Sequence, residues 1–145
     1  MNANQVTKRS IPERIFHAIL YEIVALLLCT PLFAWLMNTP LLQMGALNLM
    51  LSTLAMAWNV LFNAAWDAML RRMAWQKTPR LRIAHGVAFE CSLGLLAIPL
   101  AAWWLDISWW QALVLDGGLL LFFLPYTVAF NWTYDHARAR WQARG

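Results

Sequence analysis

The chain reads as an all-α integral membrane protein: four transmembrane helices in two tandem, parallel two-helix repeats, with both termini cytoplasmic. Three observations predict this. Apolar residues make up 61% of the 145 and charged residues only 12%, with a mean hydropathy of +0.51, which excludes a soluble core wrapped in a solvated surface. Four apolar stretches each reach the ~20 residues needed to cross a ~30 Å hydrocarbon core, and none alternates as an outer-membrane barrel strand does. The second half of the chain also repeats the first at an offset of 68 positions.

The first span runs from Ile15 to Met37 behind a tail over 1–13. Its length, and the lack of a small-residue cleavage signal, argue for a retained anchor rather than a removable signal peptide. The second span covers Leu42 to Trp66, the third Ile83 to Leu105 and the fourth Leu113 to Tyr134. Residues 14–72 and 82–140 form the two repeat units, joined by a linker over 73–81 and followed by a tail over 141–145. The offset pairs Pro31 with Pro99, Trp35 with Trp103, Gln43 with Gln111, Phe62 with Phe130 and Asp67 with Asp135. Each unit starts on the same side, which makes the repeat parallel about an axis along the membrane normal. A single helical hairpin cannot bury its own polar face, so a packing scaffold alone would also explain the duplication.

All eleven basic residues fall on one side: Lys8, Arg9 and Arg14 before the first span, Arg71, Arg72, Lys77, Arg80 and Arg82 around the linker, and Arg138, Arg140 and Arg144 at the end. The connectors between paired spans carry none, so the positive-inside rule places both termini and the linker in the cytoplasm. The net charge of +4 thus describes anchoring to a bilayer. The arginines hug helix ends instead of forming one face, so no nucleic-acid partner is expected. Cys29 and Cys91 form no paired motif and are expected as buried free thiols.

Two acids stand in stretches otherwise fit for lipid. Glu22 ends the run that begins at Arg14, and Glu90 ends its counterpart from Arg82. An ionisable side chain at membrane depth is costly, so its default reading is functional. Eight residues at ~1.5 Å each put Glu22 ~12 Å along the helix from Arg14. The same arithmetic puts Trp58 and Tyr126 near that depth, where an anion beside large rings would suit a lipophilic cation. Core filling is the competing reading of these two rings. Asn59, Asn63 and Asp67 recur every four residues as one polar stripe, answered by Thr127, Asn131 and Asp135. Such a stripe faces protein or water; interhelical hydrogen bonding is its structural use, and substrate binding by Asn59, Asn63 and Asn131, with Tyr21, Trp58 and Tyr126, is its functional one.

His17 and His85 precede the glutamates by five residues, too far around a helix for local chelation, so no metal site is expected. Spacings of three from Arg14 to His17 and four from His17 to Tyr21 suggest a hydrogen-bonded entrance to the carboxylate, repeated by Arg82 and His85. Asp67 and Asp135 sit where helices leave the membrane and read as supports or as the inner mouth. Asp116 breaks the symmetry, since its repeat counterpart is Asn48.

The paired runs Arg14 to Glu22 and Arg82 to Glu90, each with His three residues after Arg and an aromatic ring just before Glu, carry a resemblance when taken with Trp58 to Asp67 and Tyr126 to Asp135. Together they resemble the proteobacterial antimicrobial compound efflux family, whose chlorhexidine-type transporters are built from two bacterial transmembrane pair domains. The likeness covers nearly the whole chain after residue 13. Tyr21 departs from it, standing where the pattern favours Phe, and so does Trp66, where a smaller ring is usual.

The resemblance implies proton-coupled antiport of cationic biocides such as chlorhexidine, acriflavine and quaternary ammonium compounds, with short-chain diamines as further substrates. It maps the family's essential membrane carboxylate onto Glu22, with the proton as coupling ion and no other cofactor. Proton and cation would compete for that one carboxylate while Glu90 shapes the second half of the cavity. Location in the bacterial inner membrane is implied in the same way. Four helices enclose little volume, so a homodimer is expected, as the resemblance also implies. The competing reading is a non-transporting structural or interaction protein whose acids lock helices together. A wide channel is disfavoured by aromatic spans with no continuous polar face. No nucleophile-base pair, phosphate loop or metal cluster points to an enzyme.

Overall fold

Four helices, α1 (Ile11–Leu36), α2 (Leu41–Met73), α3 (Pro79–Leu105) and α4 (Trp109–Gln142), make up the computed structural model, which describes residues 10–75 and 78–142. Lys8, Arg9, Lys77 and Arg144, part of the charge argument above, lie outside the described residues. Each of the four helices is long and apolar enough to cross a membrane. No strand occurs among the described residues. α2, at 33 residues, is ~50 Å long, more than the ~30 Å of a hydrocarbon core.

The helix ends obey the repeat. Ser10 caps α1 by accepting the Glu13 N–H at 3.4 Å, and Thr78 caps α3 by accepting that of Leu81 at 3.3 Å. Ser10 and Thr78 are themselves 68 positions apart, so the structural repeat starts at the caps, ahead of Arg14. At the other end Asn38 and Asp106, again repeat counterparts, adopt left-handed φ of 51° and 52°, a conformation that Asn and Asp tolerate. Thr39 N–H then reaches Ala34 O at 2.9 Å and Ile107 N–H reaches Ala102 O at 3.1 Å, closing both turns alike. Arg71 and Arg72 lie in the last turn of α2, where cations suit the negative helix end.

The helices form a ring in chain order, with α4 closing onto α1, and the backbones of the diagonal pairs do not approach each other closely among the described residues. The half nearest the two hairpin turns is dry. Met44 and Leu47 there are 0% exposed, and they pack with Cys29, Phe33, Ala112 and Leu115. On the α2/α3 seam Gln43 Nε2 donates to Trp104 O at 3.0 Å and Trp104 Nε1 donates to Gln43 O at 2.9 Å. The repeat counterpart of Trp104 is Leu36, which has no side-chain donor to return such a bond on the α1/α4 seam. Leu27, Leu42, Leu95 and Leu121 face outward, as side chains bathed in hydrocarbon should. One thiol corrects expectation: Cys29 is buried, but Cys91 faces outward, because its position on α3 lies off the packed face.

Candidate functional site: an acid-lined cavity between the repeats

Several polar side chains in the spans find partners in the opposite repeat. His17 Nε2 meets Asn131 Oδ1 at 3.0 Å across the α1/α4 seam, and His85 Nε2 meets Asn63 Oδ1 at 2.8 Å across the α2/α3 seam. Each imidazole is also boxed by rings of the other repeat: Phe130 and Tyr134 around His17, Phe62 and Trp66 around His85. The local ladder from Arg14 through His17 to Tyr21 therefore gives way to cross-repeat bonds, because a helix side chain at this depth gains more from an unpaired neighbour than from its own stem. At the chain-terminal end Glu13 and Arg138 form an ion pair on the α1/α4 seam.

The two departures from the family pattern both have uses. The Tyr21 hydroxyl shares a hydrogen bond with Thr127 Oγ1 at 2.8 Å, and Trp66 stacks on Phe62 at 5.8 Å while meeting His85 edge-on.

Between the seams lies a cavity of about 350 Å³. Its walls carry Glu22 from α1, Glu90 from α3 and Asp116 from α4, with Asn48 and Ser52 from α2. The rest is apolar or aromatic, including Tyr21, Leu26, Leu93 and Phe123. Glu22 and Asp116 are half-buried, whereas Glu90 is exposed, so the cavity is not sealed along α3. Among the described residues, none of the three carboxylates has a hydrogen-bond or ion-pair partner. The dry core, which shares Cys29 and Leu119 with the lining, closes the cavity toward the hairpin turns. A second hollow of about 390 Å³ opens between α2 and α3, lined by Asn63, Trp66, Asp67, Arg82 and His85.

The structure distributes the residues singled out from sequence over three places. Glu22, Glu90, Asp116 and Tyr21 share the cavity. Asn63, Asp67, Arg82 and His85 share the second hollow, while His17 and Asn131 hold the α1/α4 seam. Arg14, Asn59 and Asp135 are exposed and line neither space, although Asn59 Oδ1 accepts from Asn63 Nδ2 at 3.2 Å.

Trp58 and Tyr126 do lie at glutamate depth, but in the seams. Trp58 Nε1 donates to Ser92 Oγ at 3.0 Å and the Tyr126 hydroxyl donates to Tyr21 O at 2.6 Å. The indole N–H and phenol O–H need acceptors in an apolar interior, and those acceptors sit on adjoining helices. The cavity's aromatic wall is Tyr21 and Phe123 instead. Sequence reasoning passed over Phe123, Ser52 and Ser92, which carry no motif. Asn48 was visible only as the counterpart of Asp116.

Among the described residues, no three His, Cys, Asp or Glu side chains converge as a metal site would require. The described residues make a multi-pass membrane protein of two tandem helical pairs around an acid-bearing apolar cavity. The chain belongs to the chlorhexidine efflux transporter family, whose model matches residues 9–72 and again 77–140.

Among curated proteins it is similar to a short-chain diamines transporter of Acinetobacter baylyi, 34% identical over 128 residues, covering 88% of this chain and 91% of that protein. A short-chain diamines transporter of Vibrio parahaemolyticus is 36% identical over 123 residues, covering 85% and 88%. One from Acinetobacter baumannii is 32% identical over 124 residues, covering 86% of each. No solved structure matches the chain. Family membership makes the protein a transporter of small organic compounds.

Proposed function

We infer that the protein exports organic cations, from short-chain diamines to cationic biocides such as chlorhexidine, acriflavine and quaternary ammonium compounds, in exchange for protons. The observation that carries this reading is Glu22, a carboxylate in an apolar cavity at membrane depth with no basic partner among the described residues. Such a group is stable when neutralised, and either a proton or an organic cation neutralises it, so the two exclude each other. Glu22 alternates between them, and Glu90 serves the half of the cavity that opens along α3. Tyr21 and Phe123 supply ring surface to a bound cation. His17 with Asn131, and His85 with Asn63, hold the seams on the chain-terminal side, from which substrate enters. Asp67, Arg82 and Asn63 border that approach through the second hollow.

The protein works in the inner membrane with both ends in the cytoplasm, as its basic residues favour. It works as a homodimer in keeping with the family resemblance. One chain already carries a cavity of about 350 Å³, open along α3, and drug-sized sites start near ~300 Å³, so a dimer is not needed to supply volume. Acids that merely locked helices together would be found paired, and among the described residues these three are not.

The deciding experiment is transport in proteoliposomes with an imposed pH gradient. Wild type is expected to accumulate a fluorescent cation only when the gradient is present, and Glu22→Gln to fall to background at equal protein incorporation. Gradient-driven flux that survives in Glu22→Gln overturns the assignment.

A further inference from the structure

A cation held beside Glu22 has the dry core ahead of it on the way to the hairpin turns, so export requires that core to part. It cannot part within a repeat, because connectors over 37–40 and 106–108 tether α1 to α2 and α3 to α4 at that end. Inside the first repeat Asn48 Nδ2 also donates to Thr30 Oγ1 at 3.1 Å, fixing α2 to α1. Only the two seams between repeats are left.

The 68-position offset gives those seams equivalent positions, and the chain fills them differently. Beside the turns, Gln43 and Trp104 exchange two hydrogen bonds across α2/α3. Their counterparts on α1/α4 are Gln111 and Leu36. Leu36 has no donor, and Gln111 turns back to its own helix start, where Oε1 accepts the Ser108 N–H at 3.0 Å and the Ser108 hydroxyl at 3.2 Å.

The polar contacts described above for α1/α4 join Glu13, His17 and Tyr21 to α4, so they span only ~12 Å of α1 at the end far from the turns. Nearer the turns α1 meets α4 through Phe33, whose ring faces Phe122 edge-on at 6.2 Å. Its Cε1 lies 3.1 Å from where a Cβ on Gly118 would stand, so the ring rests on bare backbone. The backbones of α1 and α4 are also the least closely packed of any neighbouring pair in the ring. On parting, a ring exchanges one apolar neighbour for another, whereas a freed indole N–H or amide finds no partner in hydrocarbon.

We propose that the α1/α4 seam beside the hairpin turns is the exit gate, latched by Phe33 on Gly118, and that Gln43 with Trp104 is the hinge about which one repeat rocks against the other. This rests on the export reading above, and it adds Phe33, Gln43 and Trp104 to the residues that transport uses.

The test places cysteine pairs at exposed positions that leave latch and hinge intact, in a Cys91→Ser background. Trp35→Cys with Trp110→Cys spans the gate, and the repeat counterparts, Trp103→Cys with Leu42→Cys, span the hinge. Nitroxide labels on each pair report distance by electron paramagnetic resonance in proteoliposomes, in acidic buffer and in alkaline buffer with cadaverine. The gate distance is expected to change by more than ~2 Å between the two conditions and the hinge distance by less. A cleavable bifunctional thiol reagent, matched in length to the measured distance, then ties each pair. Tying the gate is expected to cut gradient-driven flux of a fluorescent cation at least about tenfold, reversibly on cleavage, and tying the hinge to leave it within about twofold.

A gate distance that does not move, a hinge distance that moves as much, or flux within about twofold through a tied gate overturns the proposal. A moving gate in a protein that carries no gradient-driven flux overturns the export reading and leaves the gate standing. Gradient-driven flux past an unmoved gate does the reverse.

Discussion

The imidazole of His17 meets the amide oxygen of Asn131 at 3.0 Å, joining the start of the first repeat to the end of the second. Its image, His85 on Asn63, joins the same two repeats in the opposite sense. Neither histidine takes a polar partner from its own unit, so the two helical pairs are held together by groups that each unit leaves unsatisfied.

A double-mutant cycle on His17→Ala and Asn131→Ala is expected to show coupling of about 0.5 to 1.5 kcal/mol in unfolding free energy, the range for a part-buried interhelical hydrogen bond. Steric trapping in bicelles or reversible unfolding in detergent reads it. Strict additivity would show the pair to be a bystander.

Glu90 lies in the same cavity as Glu22 but is more exposed. Glu90→Gln is therefore expected to raise the diamine KM about tenfold, or ~1.4 kcal/mol, while flux at saturating substrate persists. The concentration dependence of gradient-driven uptake measures this. Complete loss of flux, matching Glu22→Gln, would mean that the two repeats contribute equivalent coupling groups.

Tyr126→Phe deletes the 2.6 Å bond to the Tyr21 carbonyl but keeps the ring between Phe122 and Phe130. A loss of about 1 kcal/mol is expected, seen as a lower midpoint in thermal unfolding of the detergent-solubilised protein. Trp58→Phe, which abandons Ser92 Oγ, should behave alike. An unchanged midpoint in both would remove the seam bonds from the account of stability.

Two glycines make opposite predictions. At Gly94 an added Cβ meets Asp116 Oδ2 at 3.6 Å and Ile98 Cδ1 at 3.8 Å, ordinary contacts, so Gly94→Ala is expected to stabilise α3 by about 0.5 to 1 kcal/mol through lower chain entropy. At Gly118 the Cβ would come within 3.1 Å of Phe33 Cε1, and Phe33 is 5% exposed with no room to retreat. Gly118→Ala should therefore destabilise by about 1 to 3 kcal/mol. The same unfolding assay ranks them, and a reversed order would show that the α1/α4 contact yields more easily than its packing implies.

Much of this fold is legible in the chain. The apolar lengths of the four stretches require helices that cross a bilayer, and the 68-position offset requires that whatever the first pair does, the second repeats. The depth of Glu22 and Glu90 follows from helical rise alone. Periodicity also marks Asn63 and Asn131 as facing protein, though not which protein. Their stripe points to interhelical hydrogen bonds, but spacing reports only neighbours along the same axis and so leaves the partner helix unnamed.

Composition and repetition by themselves determined a four-helix membrane protein with two acids at matched depth, because the cost of burying backbone and charge in hydrocarbon leaves few alternatives. The tertiary structure alone decided that Trp58 and Tyr126 turn into the seams, that Phe123 and Asn48 enter the cavity, and that Asp116 joins the two glutamates there. Those outcomes depend on how the helix ring closes, which sets the face each side chain presents to a helix remote in the chain, and no spacing within a single span records that angle.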